Sequence, residues 1–163
     1  MKLFIQDESG QYITAPTRTI LKESLSRTRS VLRTGSITSS ELAKEAIAAK
    51  FLNYPEREVF GCLFLDTQNR IIEWQELFFG TINVNTVYPR EVVKAALRLN
   101  AACVIFAHNH PSGSVQPSPA DRNLTEKLTD ILKVIDVRVL DHLIIGDSIF
   151  SMSDNGCMAG GAA

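Results

Sequence analysis

Apolar residues in this chain are arranged in two patterns. Dense runs typical of buried strands occur at VFGCLFL (59–65) and CVIFA (103–107). Other segments repeat apolar residues every three or four positions, as on one face of a helix: TSSELAKEAIAAKFLN (38–53), REVVKAALRLNA after Pro89, and the stretch after Pro119. Two further strands are predicted on either side of Gly146 and Asp147. The pattern predicts an α/β (α+β) fold, a mixed β-sheet led by a hairpin and flanked by helices.

Local signals indicate where the helices begin. Thr38 lies three residues before Glu41, which is the spacing of a capping box, so we expect a helix from there to about Leu52. Ser118 and Pro119 fit the N-cap and first position of a later helix. That register places Asp121 at the third helical position.

The chain of 163 residues is long enough for one well-buried core. We expect an N-terminal arm and basic helix over residues 1–37, the main domain over 38–154, and a disordered tail over 155–163. Residues 17–33 carry five basic side chains against one acidic one. This charge fits either a solvated helix face or a patch that contacts phosphate.

Composition excludes several classes of protein. The formal net charge of −1 gives no global reason to bind nucleic acid, so any DNA association should be weak and local. No window is apolar enough to span a membrane, and the N-terminus lacks a signal peptide, which predicts a cytoplasmic protein. Cys62 and Cys103 lie inside apolar runs and are expected to pack as hydrophobic side chains.

The segment AHNHPSGSVQPSPAD (107–121) contains the candidate chemistry. His108 and His110 are two residues apart at the end of a strand, so their side chains point to the same side and can reach one ion. Asp121 is held on the following helix, and the intervening loop can fold it back. Two imidazoles and one carboxylate would leave the fourth position of a Zn²⁺ ion open, as in catalytic sites. Asp121 could instead act only as a helix cap.

The motif HNHPSG followed by Ser118 and Asp121 resembles the JAB/MPN (JAMM) metalloprotease motif in its RadC variant. The segments LFLDTQNRII, ELFFGTINVNTVYPREVVKAAL and VRVLDHLIIGD are also similar to the RadC family, so the resemblance covers roughly Glu56 to Ser153. It implies a cytidine-deaminase-like JAB/MPN architecture with His108, His110 and Asp121 as zinc ligands.

The resemblance also implies catalytic roles. Glu58 in PEREVFG stands where the family carries its general base, with Glu56 as the rival, and Ser118 would help to stabilise an oxyanion. The implied activity is zinc-dependent hydrolysis of a peptide or isopeptide amide by activated water, on an unknown peptide or protein substrate. Asn109 departs from the protease members, which usually carry Ser or Thr there.

The sequence leaves three further points open. A non-catalytic DNA-repair-associated accessory module and a metal-dependent nuclease are the alternative functions. His142 is either a structural histidine or a residue near the metal. The sequence is compatible with an oligomer as well as with a monomer.

Overall fold

The structure is a computed structural model that describes residues 4–6, 10–20, 35–52, 54, 56–80 and 87–158. The helices and strands follow in chain order: β1 Phe4–Gln6, β2 Tyr12–Thr14, α1 Ser40–Phe51, β3 Val59–Leu65, β4 Ile71–Phe79, α2 Pro89–Arg98, β5 Cys103–Asn109, α3 Pro119–Lys133, β6 Arg138–Ile145 and β7 Ile149–Ser151. Most of the basic segment predicted over 17–33 lies outside the described residues.

Five of the strands form one mixed sheet in the order β4-β3-β5-β6-β7, which confirms the predicted fold class. Strands β5 and β6 are parallel, and the other neighbouring pairs are antiparallel. Because a parallel pair needs a crossover connection, α3 runs between β5 and β6 across one face of the sheet. The hairpin of β1 and β2 forms a separate two-stranded sheet.

The sheet separates two hydrophobic cores. Alternate residues of β3 point to opposite faces, so Phe60, Cys62 and Phe64 belong to the core under α2 and α3. Val59, Leu63 and Leu65 belong to the core under α1. Strands β3 and β5 are buried along their whole length, as expected for central strands covered on both faces. The candidate metal residues lie where β5 ends, on the α3 side.

One predicted helix start was wrong by one residue. The N-cap of α1 is Ser39, which has extended backbone angles and whose hydroxyl accepts a hydrogen bond from the backbone N–H of Leu42 at 3.3 Å. Glu41 is then the second helical residue instead of the third, so the box between Thr38 and Glu41 does not form. Thr38 and Ser39 are both residues of the type that caps helices, and the structure uses Ser39.

Local hydrogen bonds shape the turn between β3 and β4, and the two cysteines in apolar runs are buried as predicted. Asn69 adopts a positive φ of 55° in the turn between β3 and β4, and Asp66 accepts hydrogen bonds from the backbone N–H groups of Gln68 and Arg70. Cys62 and Cys103 are fully buried, and burial raises the pKa of the Cys62 thiol well above its usual value.

The C-terminal part of the chain differs from the expected tail. The backbone N–H of Cys157 donates to the carbonyl of Met152 at 2.7 Å, and that of Asn155 donates to Ser151. Residues 155–157 therefore fold back on the end of β7, and residues 159–163 lie outside the described part of the chain.

Candidate metal centre

Strand β5 delivers the first two candidate ligands. His108 is fully buried near the end of the strand, and His110 follows directly after it. Their ring centroids lie 4.7 Å apart, as the two-residue spacing predicted. His108 pairs with Phe60 of β3 on one side and with Ile144 of β6 on the other, so its backbone is held between two neighbours.

The loop of residues 111–118 folds back over the end of the sheet. Gly113 has a φ of +83°, and its carbonyl accepts a hydrogen bond from the backbone N–H of Asp147 at 2.9 Å. An added Cβ at Gly113 would meet the Asp147 carboxylate at 2.7 Å, so a side chain does not fit there. The hydrogen bond between Gly113 and Asp147 fixes the loop, in which the carbonyl oxygen of Ser114 lies 2.9 Å from His110 Nδ1.

The start of α3 delivers the third candidate ligand. Ser118 and Asp121 form the predicted N-cap arrangement, here as a complete capping box. The Ser118 hydroxyl accepts from the Asp121 N–H at 3.1 Å and donates to Asp121 Oδ2 at 2.6 Å, while the Ser118 N–H donates to the same oxygen. Asp121 is therefore held by Oδ2, and Oδ1 faces His108.

The three side chains converge as the sequence predicted. His108 Nε2 lies 2.9 Å from His110 Nε2 and 3.3 Å from Asp121 Oδ1, and His110 Nε2 lies 3.8 Å from Asp121 Oδ2. Among the residues that the structure describes, these three offer ligand atoms that all lie within 4.8 Å of one another. Ligand atoms of a tetrahedral Zn²⁺ ion lie about 3.3 Å apart, given bond lengths near 2.0 Å. The spacing therefore fits a metal ion of that size.

The protonation states also suit a metal. A carbonyl oxygen only accepts, so His110 Nδ1 carries the proton that it donates to Ser114, which leaves Nε2 as the His110 nitrogen that can face a metal. Burial lowers the pKa of His108 to about 4, against an opposing effect of Asp121 and a smaller lowering by His110. His108 is thus neutral at pH 7, and its approach to Asp121 is not an ion pair.

The donor set of His108, His110 and Asp121 fits a metal ion because its electron pairs converge on one point. His110 Nε2 and the Asp121 carboxylate present electron pairs to the same point, and a neutral His108 can add a third. A cation at that point offsets their mutual repulsion and the cost of burying the carboxylate, which is 3% exposed. Two imidazoles with one carboxylate form a donor set that zinc accepts, although other divalent transition metals accept it too.

Glu58 lies directly before β3, the strand that pairs with β5. The last pair of that antiparallel register is Phe60 with His108, and Glu58 and His110 each lie two residues beyond this pair on their own segments. Glu58 is half-buried and its carbonyl accepts a hydrogen bond from Gly80 N–H at 2.9 Å, whereas Glu56 is exposed. The position favours Glu58 over its rival as a group that acts at the metal site.

The Asn109 side chain holds the segment of residues 54–59, which contains Glu58. The Asn109 side chain points away from the histidines and is buried. Asn109 Oδ1 accepts from Val59 N–H at 2.7 Å, and Nδ2 donates to the carbonyls of Tyr54 and Arg57 at 2.8 and 2.9 Å. The residue that departs from the protease members therefore joins the end of β5 to the segment that carries Glu58.

We expect Asn109→Ser to loosen residues 54–58, because a serine hydroxyl cannot make all three hydrogen bonds. The expected loss of stability is about 1–3 kcal/mol, measured by urea denaturation. Hydrogen exchange at Val59 N–H should speed up relative to the centre of β5. Asn123→Ser on the exposed side of α3 is the control. Unchanged exchange in Asn109→Ser would contradict this role.

His142 occupies a position that the sequence left open between two roles. It is fully buried on β6, with Nε2 at 2.8 Å from His108 Nδ1 and Nδ1 at 2.6 Å from Thr125 Oγ1. Burial, then the nearby His108 and His110, lower the pKa of His142 well below its usual value. Sequence reasoning missed Thr125, which belongs to no motif and reaches the site only through folding. It also missed Ser114, because the group that contacts His110 is a main-chain carbonyl, which no side-chain pattern reveals.

Comparison with known proteins identifies the group to which this domain belongs. A family model described as RadC-like JAB domain matches residues 37–157. The chain belongs to the RadC family. The matched residues include all three members of the metal group and Glu58, so the RadC-like part of the chain contains the whole candidate site.

Two curated relatives of this RadC-family chain, each named UPF0758 protein, come from Vibrio cholerae serotype O1. One is 54% identical over 125 residues, which is 77% of this chain and 79% of the relative. The other is 50% identical over 125 residues, or 77% of this chain and 78% of the relative. A UPF0758 protein of Thioalkalivibrio sulfidiphilus is 47% identical over 129 residues but is covered over only 57% of its length.

The RadC-family domain and its buried group of His108, His110 and Asp121 together support membership of a JAMM-type metal hydrolase family. Across the described ranges, no helix is both long and apolar enough to cross a membrane.

Proposed function

We propose that this RadC-family chain is a zinc-dependent hydrolase of the JAMM type that cleaves a peptide or isopeptide amide in the cytoplasm. The observation that carries the proposal is the convergence of two histidine Nε2 atoms and one carboxylate on a single point. In a purely structural zinc site a fourth protein ligand would be expected. The described residues around this point contribute three.

His108, His110 and Asp121 would hold the ion. Zinc bound there would supply a Lewis acid that polarises a carbonyl and lowers the pKa of a water molecule. The exposure of the three ligand side chains indicates from which side solvent and substrate reach the site. His110 has a side-chain exposure of 16%, whereas His108 is fully buried and Asp121 is 3% exposed. The site therefore opens to solvent on the His110 side, and we expect the substrate to approach from there.

Glu58 is the proposed general base. Glu58 and His110 each lie two residues beyond the Phe60–His108 pair, and His110 is on the open side of the site. There its carboxylate would take a proton from the attacking water and return it to the leaving amine. Both transfers require one carboxylate that reaches the water and the scissile nitrogen in turn, which suits a side chain at the mouth of the site.

The contacts of Ser118 indicate a positioning role, which differs from the oxyanion role that the family resemblance implies. Its hydroxyl proton goes to Asp121 Oδ2, so Ser118 holds a metal ligand in place. Stabilising an oxyanion, the role that the family resemblance implies, would require this hydroxyl to turn away from Asp121. We therefore assign Ser118 to positioning Asp121, with the oxyanion role conditional on that rotation.

The test starts with metal analysis of the freshly purified chain, for which we expect about one zinc ion per chain. The zinc-loaded protein is then incubated with peptide, isopeptide-linked and oligonucleotide substrates. Zinc-dependent amide cleavage that a chelator abolishes would support the proposal. A chain that holds no divalent transition metal would overturn it. Metal-dependent cleavage of phosphodiesters without amide cleavage would replace it with the nuclease alternative.

A further inference from the structure

We infer that His142 and Thr125 form a positioning relay that presents His108 Nε2 to the metal and ties His108 to the helix that carries Asp121. The relay is the set of His108, His142, Thr125 and the main chain of Asp121. The inference rests on the metal site of the proposed function, and it adds two residues that work through His108 instead of touching the metal.

The contacts of the relay are continuous and short. His108 Nδ1 lies 2.8 Å from His142 Nε2, and His142 Nδ1 lies 2.6 Å from Thr125 Oγ1. Thr125 Oγ1 in turn donates to the carbonyl oxygen of Asp121 at 2.6 Å. The relay thus begins at a ligand on β5, crosses β6 and ends at the main chain of a ligand on α3.

Counting donors and acceptors gives the relay a direction. The Thr125 hydroxyl has one proton, and the Asp121 carbonyl at 2.6 Å is a closer and stronger acceptor than Met152 Sδ at 3.6 Å. With its proton on Asp121, the hydroxyl accepts from His142 Nδ1–H. The other nitrogen of a neutral His142 then has only a lone pair, which accepts from His108 Nδ1–H. His108 Nε2 is left without a proton, as metal binding requires.

The surroundings of His142 keep the relay in this arrangement. The His142 ring is fully buried, with the rings of Phe60 and Phe106 edge-on at 5.7 and 5.9 Å. Thr125 is 3% exposed. Because water does not reach these groups, the partners of each ring nitrogen are the ones within the relay, and a ring flip would leave buried polar atoms unpaired. The ligand His108 is therefore oriented before a metal binds.

The test compares two threonines on α3. Thr125→Val keeps the shape of the side chain but cannot accept from His142. Thr129→Val is the matched control, because the Thr129 hydroxyl makes the same kind of bond, to the carbonyl of Thr125 at 2.8 Å, one turn further along. By chelator competition at pH 7, we expect Thr125→Val to bind zinc about 10- to 100-fold more weakly. Thr129→Val should match the wild type, and Thr125→Ser should restore the affinity.

A second measurement reads the orientation directly and needs no variant. In ¹⁵N spectra of the zinc-free wild type at pH 7, His108 and His142 should both carry the proton on Nδ1. A His108 proton on Nε2 would mean that the relay runs in reverse, which would overturn the inference. Equal zinc affinity in the wild type and Thr125→Val would overturn it as well. A wild type that binds no zinc would instead remove the proposed function, so the two failures are distinguishable.

Discussion

Replacing Glu58 by Gln should reduce amide hydrolysis by about 10²- to 10⁴-fold, the range typical for loss of a general base. Glutamine keeps the size of the side chain but accepts no proton at neutral pH. Zinc content and the free energy of unfolding should stay near wild type, because Glu58 is outside the group of ligand atoms. The measurements are turnover of a peptide or isopeptide substrate, zinc analysis and urea denaturation.

Glu56→Gln is the matched control for this substitution. It removes the same charge two residues earlier, on an exposed side chain, so the rate should hardly change. A fully active Glu58→Gln protein would exclude Glu58 as the base. If Glu56→Gln then lost the activity, the rival glutamate would take its place.

The second large effect is expected at the ligand that α3 supplies. Asp121→Ala should lose most of the roughly one zinc ion per chain expected for this site, and activity should fall with it. Removing the carboxylate deletes one of three ligands and leaves two neutral imidazoles, which attract a cation much less strongly. The measurement is metal content after dialysis against a weak chelator.

Asp121 is also part of the helix cap, so the loss of zinc must be separated from the loss of the cap. Ser118→Ala removes the capping hydroxyl but no ligand, and should cost about 1 kcal/mol of stability. Because the Asp121 carboxylate remains but loses the hydrogen bond that positions it, the zinc content should fall less than in Asp121→Ala. Asp130→Ala controls for the removal of an exposed acidic side chain on the same helix. Full zinc occupancy in Asp121→Ala would refute the ligand assignment, whatever its stability.

Much of the site could be predicted from local sequence, because its main parts follow from short-range rules. Side chains two apart on an extended strand share a side, which brings His108 and His110 together. The Ser118 and Pro119 signals set the register of α3, which places Asp121 in its first turn. The start of α1 was predicted one residue early, because Thr38 and Ser39 are both good caps and the local pattern does not distinguish them.

The sequence by itself determined the fold class and the three candidate metal ligands, since periodicity, capping and spacing act over a few residues. Only the tertiary structure decided which groups surround those ligands. The pairing of β5 with β3 sets Phe60 against His108, two residues after Glu58, and the pairing with β6 brings His142 beside His108. Thr125 and Asn109 complete their contacts across 17 and at least 50 residues of chain. Such contacts depend on strand order and helix packing, which no local pattern encodes.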